Sequence, residues 1–172
     1  MQHYLGETLA LITAILWGVA VVLFKKSGDT VHPLALNLFK CVLAFVLFIP
    51  TMVMWGINIR DENNPKIWGI MLLSGVLGIG IGDTLFFHSL RLIGASRMAI
   101  LTCLYSPIVI GISSWQLGER LTTMQWFGIV GVIGAIYLTT QKEGQAVQLP
   151  RNQLLTGLIL GIISFVSMAI GM

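Results

Sequence analysis

Charged side chains are scarce in this sequence. Only 10% of its 172 residues are Asp, Glu, Lys or Arg, whereas soluble domains carry about 25%. Hydrophobic residues make up 56% of the chain, more than a globular domain of this size could hide from water. The lack of charge therefore excludes an ordinary water-soluble domain, and the apolar surface is expected to face the lipid bilayer.

The groupings of side chains that carry catalysis or metal binding are also missing. The two cysteines, Cys41 and Cys103, stand apart inside apolar stretches, so no Cys/His cluster predicts a metal site. The sequence has no HExxH, GxSxG or P-loop motif. Its basic residues are scattered and its net charge is only +3, which argues against nucleic-acid binding. We therefore expect neither an enzyme nor a protein with a cofactor.

Six long apolar runs dominate the chain. A bilayer core about 30 Å thick needs roughly 20 apolar residues of helix, and each run approaches that length. The runs cover about residues 5–24, 33–55, 67–90, 95–116, 123–140 and 154–172. The loops between them are too short to fold into a catalytic domain. This pattern predicts an all-α, polytopic bundle of about six transmembrane helices.

Two charged residues, Lys40 and Asp83, lie well inside these runs rather than near their ends. Asp83 lies well inside the third run, where an aspartate costs about 2.5–3.5 kcal/mol on insertion scales unless it faces a partner or a wet cavity. Two interpretations of Asp83 are open: a carboxylate linked to protons or substrate, and a structural ion pair or helix-end residue. Lys40 in the second run could bind an anionic group, pair with Asp83, or extend toward the interface.

Four further side chains are candidates for a substrate or ion path: Asn37, Thr84, His88 and Trp17. Asn37 falls on the same predicted helix face as Lys40. The others also have plain structural interpretations. Thr84 could bond its own backbone, His88 could be an interfacial residue at a helix end, and Trp17 could be a packing residue.

The fourth run combines small polar residues with a proline. Cys103 and Ser106 lie on one mildly polar face. Pro107 has no N–H and is predicted to kink the helix, which frees a carbonyl near Cys103. A neighbouring helix, a water or a substrate could satisfy that carbonyl. The alternative is a packing kink with no further role.

Glycine is abundant, at 19 of 172 residues. Membrane helices use glycine at four-residue spacing to bring backbones close together. Gly78 and Gly82 have that spacing, and Gly128, Gly131 and Gly134 crowd the fifth run. These residues are predicted to form helix-packing faces.

Several short motifs follow one another in a fixed order. They are Trp17-Gly18, Lys25-Lys26, Pro33-Leu34 before Lys40, the link Leu90–Ala99, Pro107 in mid-helix, the stretch Leu117–Thr122 and the glycine-rich fifth run. Over about residues 5–140 this order resembles the EamA-type repeat of the drug/metabolite transporter superfamily. The chain departs from the pattern at Asp83, where many members have no acidic residue, and at Ser89, where alanine is more usual.

The resemblance implies a carrier built from two inverted repeats that exports or exchanges a small organic metabolite or drug in the plasma (inner) membrane. It implies a five-helix repeat over 5–140, a linker at 141–153 and the first helix of a truncated second repeat at 154–172. The partner would be that second repeat or a second copy of the chain. Asp83 would couple transport to protons, with Lys40 as its partner or as the counter-charge of an anionic substrate.

In this interpretation the residues with structural or gating roles are Gly18, Pro107, Glu119 and Arg120. Glu119 precedes the fifth helix, and a negative charge is favourable near a helix N-terminus, so it is predicted to stabilise the turn.

The alternative to transport is a membrane scaffold or assembly subunit that packs through its glycine faces. It predicts that Lys40 and Asp83 can lose their charges with little effect. Bulky side chains at Gly128 or Gly131 would instead break an interaction.

Overall fold

The computed structural model describes residues 3–56, 64–117, 122–143 and 149–172, with side chains over 5–56, 64–114, 122–134 and 149–172. Within these ranges all regular secondary structure is helical. The helices are α1 (His3–Gly28), α2 (Pro33–Met54), α3 (Pro65–Gly75), α4 (Asp83–Ile93), α5 (Ala95–Thr102), α6 (Tyr105–Leu117), α7 (Thr123–Glu143) and α8 (Arg151–Ile170). A π-helical segment, Val76–Gly82, joins α3 to α4.

Five helical stretches are long and apolar enough to cross a membrane. They cover Leu5–Gly28, Pro33–Met54, Pro65–Ile93, Ala95–Ser114 and Arg151–Ile170. The described apolar part of α7, Thr123–Gly134, is shorter. The predicted class, a helical membrane bundle of about six helices, is confirmed.

Two prolines begin helices, as their positions in the sequence predict. α2 starts at Pro33 and is capped by a ring nitrogen of His32. α3 starts at Pro65 and is capped by the side-chain oxygen of Asn64. Proline suits the first turn of a helix because its missing N–H would have no intrahelical partner there.

The predicted fourth helix is divided into α5 and α6. Between them, the N–H groups of Cys103 and Leu104 donate to carbonyls only three residues earlier, at 3.1 and 3.0 Å. Pro107 lies in the first turn of α6 and cannot donate to the Cys103 carbonyl four residues before it. The predicted mid-helix kink is therefore a short turn that precedes the proline.

The core lies where α4 meets α5 and α8. Its buried side chains are Leu36, Phe86, Phe87, Leu90, Ile93, Met98, Leu101 and Phe165. A Cβ atom added at Gly157 or Gly161 of α8 would collide with the side chains that α4 and α5 place there. The hydroxyl of Ser89 donates to the Gly157 carbonyl over 2.7 Å. Glycine therefore lets α8 approach the centre of the bundle closely.

The predicted glycine ridges differ in what they touch. A Cβ at Gly82 would lie 2.7 Å from Met168 Cγ of α8. For Gly78, a Cβ would lie 3.7 Å from the Cα of Gly171. At Gly128, Gly131 and Gly134 of α7, an added Cβ meets no atom within 4 Å in the described part of the chain. A packing role for these three stays a prediction.

Replacing Gly161 with leucine is expected to destabilise the bundle. The new side chain would occupy the space of Leu101 and Ser89, and overpacking of this kind costs about 1–3 kcal/mol. Gly111→Leu on α6 is the matched control, because a Cβ there meets no described atom within 4 Å. Thermal unfolding in detergent should show a lower midpoint for Gly161→Leu alone. Equal losses in both variants would contradict the importance of the contact between α8 and α5.

Candidate functional site

An ion pair joins α2 to the start of α4. Lys40 Nζ donates to Asp83 Oδ2, and the Lys40 ammonium also lies 5.5 Å from the centre of the Phe87 ring. The side chains of Lys40 and Asp83 are 31% and 17% exposed. The two charged residues that lie well inside the apolar runs are thus brought together. Each reduces the cost of placing the other among apolar helices.

Two clefts meet at Asp83. The α2 cleft, about 740 Å³, is lined by Lys40, Cys41, Ala44, Phe45 and Phe48 of α2 and by the facing side of α3 and the π-helical segment. The α8 cleft, about 280 Å³, is lined by Ser74, Tyr105, Met168, Gly171 and Met172 together with the π-helical segment. Gly75, Ile79 and Asp83 border both clefts. The carboxylate therefore stands at the partition between them.

A buried amide lies one helical turn from the ion pair. Asn37 is 4% exposed. Its Nδ2 donates to the Ile79 carbonyl at 2.9 Å and to the Gly80 carbonyl at 3.3 Å, both in the π-helical segment. It also donates to Thr84 Oγ1 at 2.9 Å, and that hydroxyl donates to the Gly80 carbonyl at 2.6 Å. Asn37 and Thr84 thus bind the backbone beside Asp83.

The remaining candidates from the sequence lie elsewhere. Trp17 is 53% exposed and lines a separate pocket of about 340 Å³ with Gly18 and residues of α5. His88 is on an exposed side of α4, Cys103 is exposed in the turn between α5 and α6, and Ser106 is exposed in the first turn of α6. None of these four is a lining residue of the two clefts at Asp83. Glu119 and Arg120 lie outside the described residues.

Sequence reasoning missed the aromatic wall of the α2 cleft. That wall is formed by Phe45 and Phe48, which lie four residues after Cys41 and Ala44 respectively and so continue the side of α2 that carries Lys40. That spacing was readable in the sequence and could have identified the wall. Tyr105 had no comparable signal, because its place beside the α8 cleft depends on how α6 packs against α8.

Neutralising either member of the ion pair alone is expected to destabilise the protein. Asp83→Asn leaves the Lys40 ammonium group without its partner, and Lys40→Gln leaves the Asp83 carboxylate without its partner. The loss should be smaller than the ~3–5 kcal/mol measured for fully buried pairs, because both side chains keep some exposure.

The double variant Lys40→Gln/Asp83→Asn is the control for this experiment. It removes both charges, so it should be more stable than the sum of the single losses predicts. A cycle of four thermal unfolding measurements tests this coupling. Strictly additive losses would show that the two charges do not stabilise each other.

Comparison with known proteins gives the family of the chain. Residues 4–141 match the model of the EamA-like transporter family. The chain is 29% identical over 144 residues to the uncharacterized transporter sll0355 of Synechocystis, covering 84% of this chain and 44% of that protein. It is 25% identical over 139 residues to the uncharacterized transporter YoaV of Bacillus subtilis, covering 78% of this chain and 46% of that protein.

The chain thus spans about half the length of the curated relatives that it matches. No solved structure matches it. The family match covers four helical stretches apolar enough to cross a membrane and both charged residues of the ion pair. On these findings, the chain belongs to the EamA-like transporter family.

Proposed function

We propose that the protein moves a small organic metabolite across the plasma (inner) membrane along a path that passes Lys40 and Asp83. One observation carries this proposal: the ion pair lies within apolar helices at the partition between two clefts. Apolar side chains of similar volume often stabilise a protein as well as a buried ion pair does. Charged residues inside membrane helices instead mark substrate and ion pathways.

The α2 cleft supports a substrate that has both a charged and an apolar part. One end of the cleft holds Lys40 and Asp83, and its walls include Phe45, Phe48 and Met71. Its volume of about 740 Å³ falls in the range of sites for small molecules, roughly 300–1,000 Å³. Both relatives are named as transporters, which supports the same class of function.

The proposed mechanism is alternating access between two inverted repeats. Carriers of this kind hold the substrate near the middle of the membrane, between the repeats. A second set of five helices, or a second copy of the chain, would close the clefts on the sides that the described helices leave open. A proton on Asp83 would neutralise the carboxylate and release Lys40 to bind an anionic group of the substrate.

A scaffold or assembly subunit is the second candidate function. One observation favours it: Gly128, Gly131 and Gly134 of α7 face open space in the described part of the chain. A ridge of glycines offers a partner helix a surface for close approach. If the protein is a scaffold, the ion pair between Lys40 and Asp83 would only stabilise the fold.

The reading frame beyond the codon for Met172 decides which protein should be reconstituted. If the frame continues through further apolar segments, the whole product is the carrier to test. If a stop codon follows, the chain is reconstituted at a density that allows two copies to associate. Proteoliposomes of that protein are then incubated with a metabolite extract, and their contents are identified by mass spectrometry.

Asp83→Asn and Lys40→Gln are each expected to lower accumulation of the transported metabolite by about tenfold or more, as for the loss of one member of a charge pair that takes part in binding. Imposing a pH gradient should raise accumulation by the unaltered protein but not by Asp83→Asn. Glu7→Gln and Lys26→Gln, which remove exposed charges of α1, are the matched controls and should transport normally.

Two outcomes would contradict the proposal. Accumulation by Asp83→Asn that still responds to the pH gradient would remove Asp83 from proton coupling. Absence of any accumulated metabolite, together with a bound protein partner that Gly131→Leu releases, would establish the scaffold function instead.

A further inference from the structure

We infer that Asn37 is a positioning residue for Asp83: its buried amide holds the π-helical segment in the geometry that sets the carboxylate against Lys40. The Asn37 side-chain amide lies within hydrogen-bond distance of the Ile79 and Gly80 carbonyl groups and of the Thr84 hydroxyl. This inference deepens the proposed function, and its consequence for transport rests on that function. The positioning itself is measurable without a substrate.

The π-helical segment needs partners outside its own helix. Its turns are wider than those of an α-helix, and runs beyond a single turn are rare. Its carbonyl groups accordingly accept hydrogen bonds from side chains of other helices. The Leu77 carbonyl accepts one from Ser167 of α8 at 2.8 Å, and the Ile79 and Gly80 carbonyls accept from Asn37 of α2. Loss of Asn37 removes one hydrogen bond from each of the Ile79 and Gly80 carbonyls, and Gly80 keeps the bond from Thr84.

Both polar atoms of the Asn37 side chain already have partners within the protein. Its Nδ2 serves the two carbonyls and the Thr84 hydroxyl, and its Oδ1 accepts from Cys41 Sγ at 3.6 Å. Two carbonyl acceptors require an N–H donor, so the orientation of the amide follows from its neighbours. The residue is also buried, and neither cleft at Asp83 includes it among its lining residues. We refer to the hydrogen bonds from Asn37 to the Ile79 carbonyl, the Gly80 carbonyl and the Thr84 hydroxyl as the clamp.

The clamp acts on the residues that flank Asp83. Gly80 lies three residues before the aspartate and Thr84 lies directly after it, and both are bonded to Asn37. The same helix supplies the counter-charge, since Asn37 and Lys40 are three residues apart on one face of α2. A shift of α2 away from the π-helical segment would therefore release the clamp and the ion pair together.

Hydrogen exchange measured by mass spectrometry tests the clamp on the whole purified protein. Asn37→Ala and the near-isosteric Thr84→Val should raise amide exchange over residues 76–84 by about tenfold, as for the loss of a buried hydrogen bond. Thr84→Ser keeps the hydroxyl and is the matched control. Exchange in α1 and α8 should stay as it is in the unaltered protein.

Labelling with a hydrophobic carbodiimide tests the positioning of Asp83. This reagent modifies carboxyl groups, and a carboxylate held against an ammonium group is shielded from it. Labelling of Asp83 at neutral pH should be low in the unaltered protein and high in Lys40→Gln. Asn37→Ala should raise the labelling of Asp83 by about threefold or more. That factor is at the low end of the coupling expected between residues in one network. In Lys40→Gln, adding Asn37→Ala should cause no further rise.

Three results would overturn the inference. The first is unchanged exchange and labelling in folded Asn37→Ala. The second is a rise in exchange spread evenly over all helices. The third is labelling of Asp83 in Asn37→Ala/Lys40→Gln that exceeds its labelling in Lys40→Gln. If the exchange and labelling results hold while no metabolite accumulates in proteoliposomes, the proposed transport fails and the positioning role of Asn37 stands.

Discussion

The ammonium group of Lys40 and the carboxylate of Asp83 lie in contact among helices that are otherwise almost wholly apolar. Neither charge could remain there alone at an acceptable cost, so α2 must lie against the start of α4. That requirement fixes the face of α2 that turns inward. It carries Leu36 and Asn37 into the buried centre and leaves the apolar side chains on the opposite face of the helix exposed. The arrangement of the site follows from one pair of charges.

The π-helical segment has neighbours of two different kinds. Toward α8 the contact is made mainly by backbone, because Gly78 and Gly171 lie against each other with no side chain between them; the Ser167 hydroxyl adds one hydrogen bond to the Leu77 carbonyl. Such a contact has little room to adjust. Toward α2 the contact is made by hydrogen bonds and an ion pair, which water, a proton or a substrate group can replace. Movement at this site is therefore expected on the α2 side, where the larger cleft lies.

Much of the fold could be predicted from the sequence, and the reasons are local. Apolar length identified the spans, and prolines after His32 and Asn64 identified helix starts, since both signals lie within a single element. The π-helical segment left no such signal. Its glycines also suit an α-helical packing ridge, and the partners that stabilise it, Asn37 and Ser167, come from helices distant in sequence.

The candidate site was only partly predictable for the same physical reason. Sequence periodicity gives the face of a single helix, but it does not give the rotation of one helix relative to another. Lys40 pairing with Asp83 was one of several open interpretations, and the structure brings those two residues together. Trp17, Cys103 and Ser106 were placed on the same path by polarity or size, yet Trp17 lines a separate pocket and the other two are exposed outside both clefts at Asp83.

The choice of lysine rather than arginine as the counter-charge bears on what the pair can do. Arginine grips a carboxylate with two parallel hydrogen bonds from a planar group, whereas lysine presents a compact charge on a flexible chain. Lys40 Nζ already has two neighbours, the Asp83 carboxylate and the ring of Phe87. An ammonium group with a second, weaker contact at hand can leave the carboxylate without becoming isolated. That property is the one that the proposed function requires of Lys40, because there a substrate anion takes the place of Asp83.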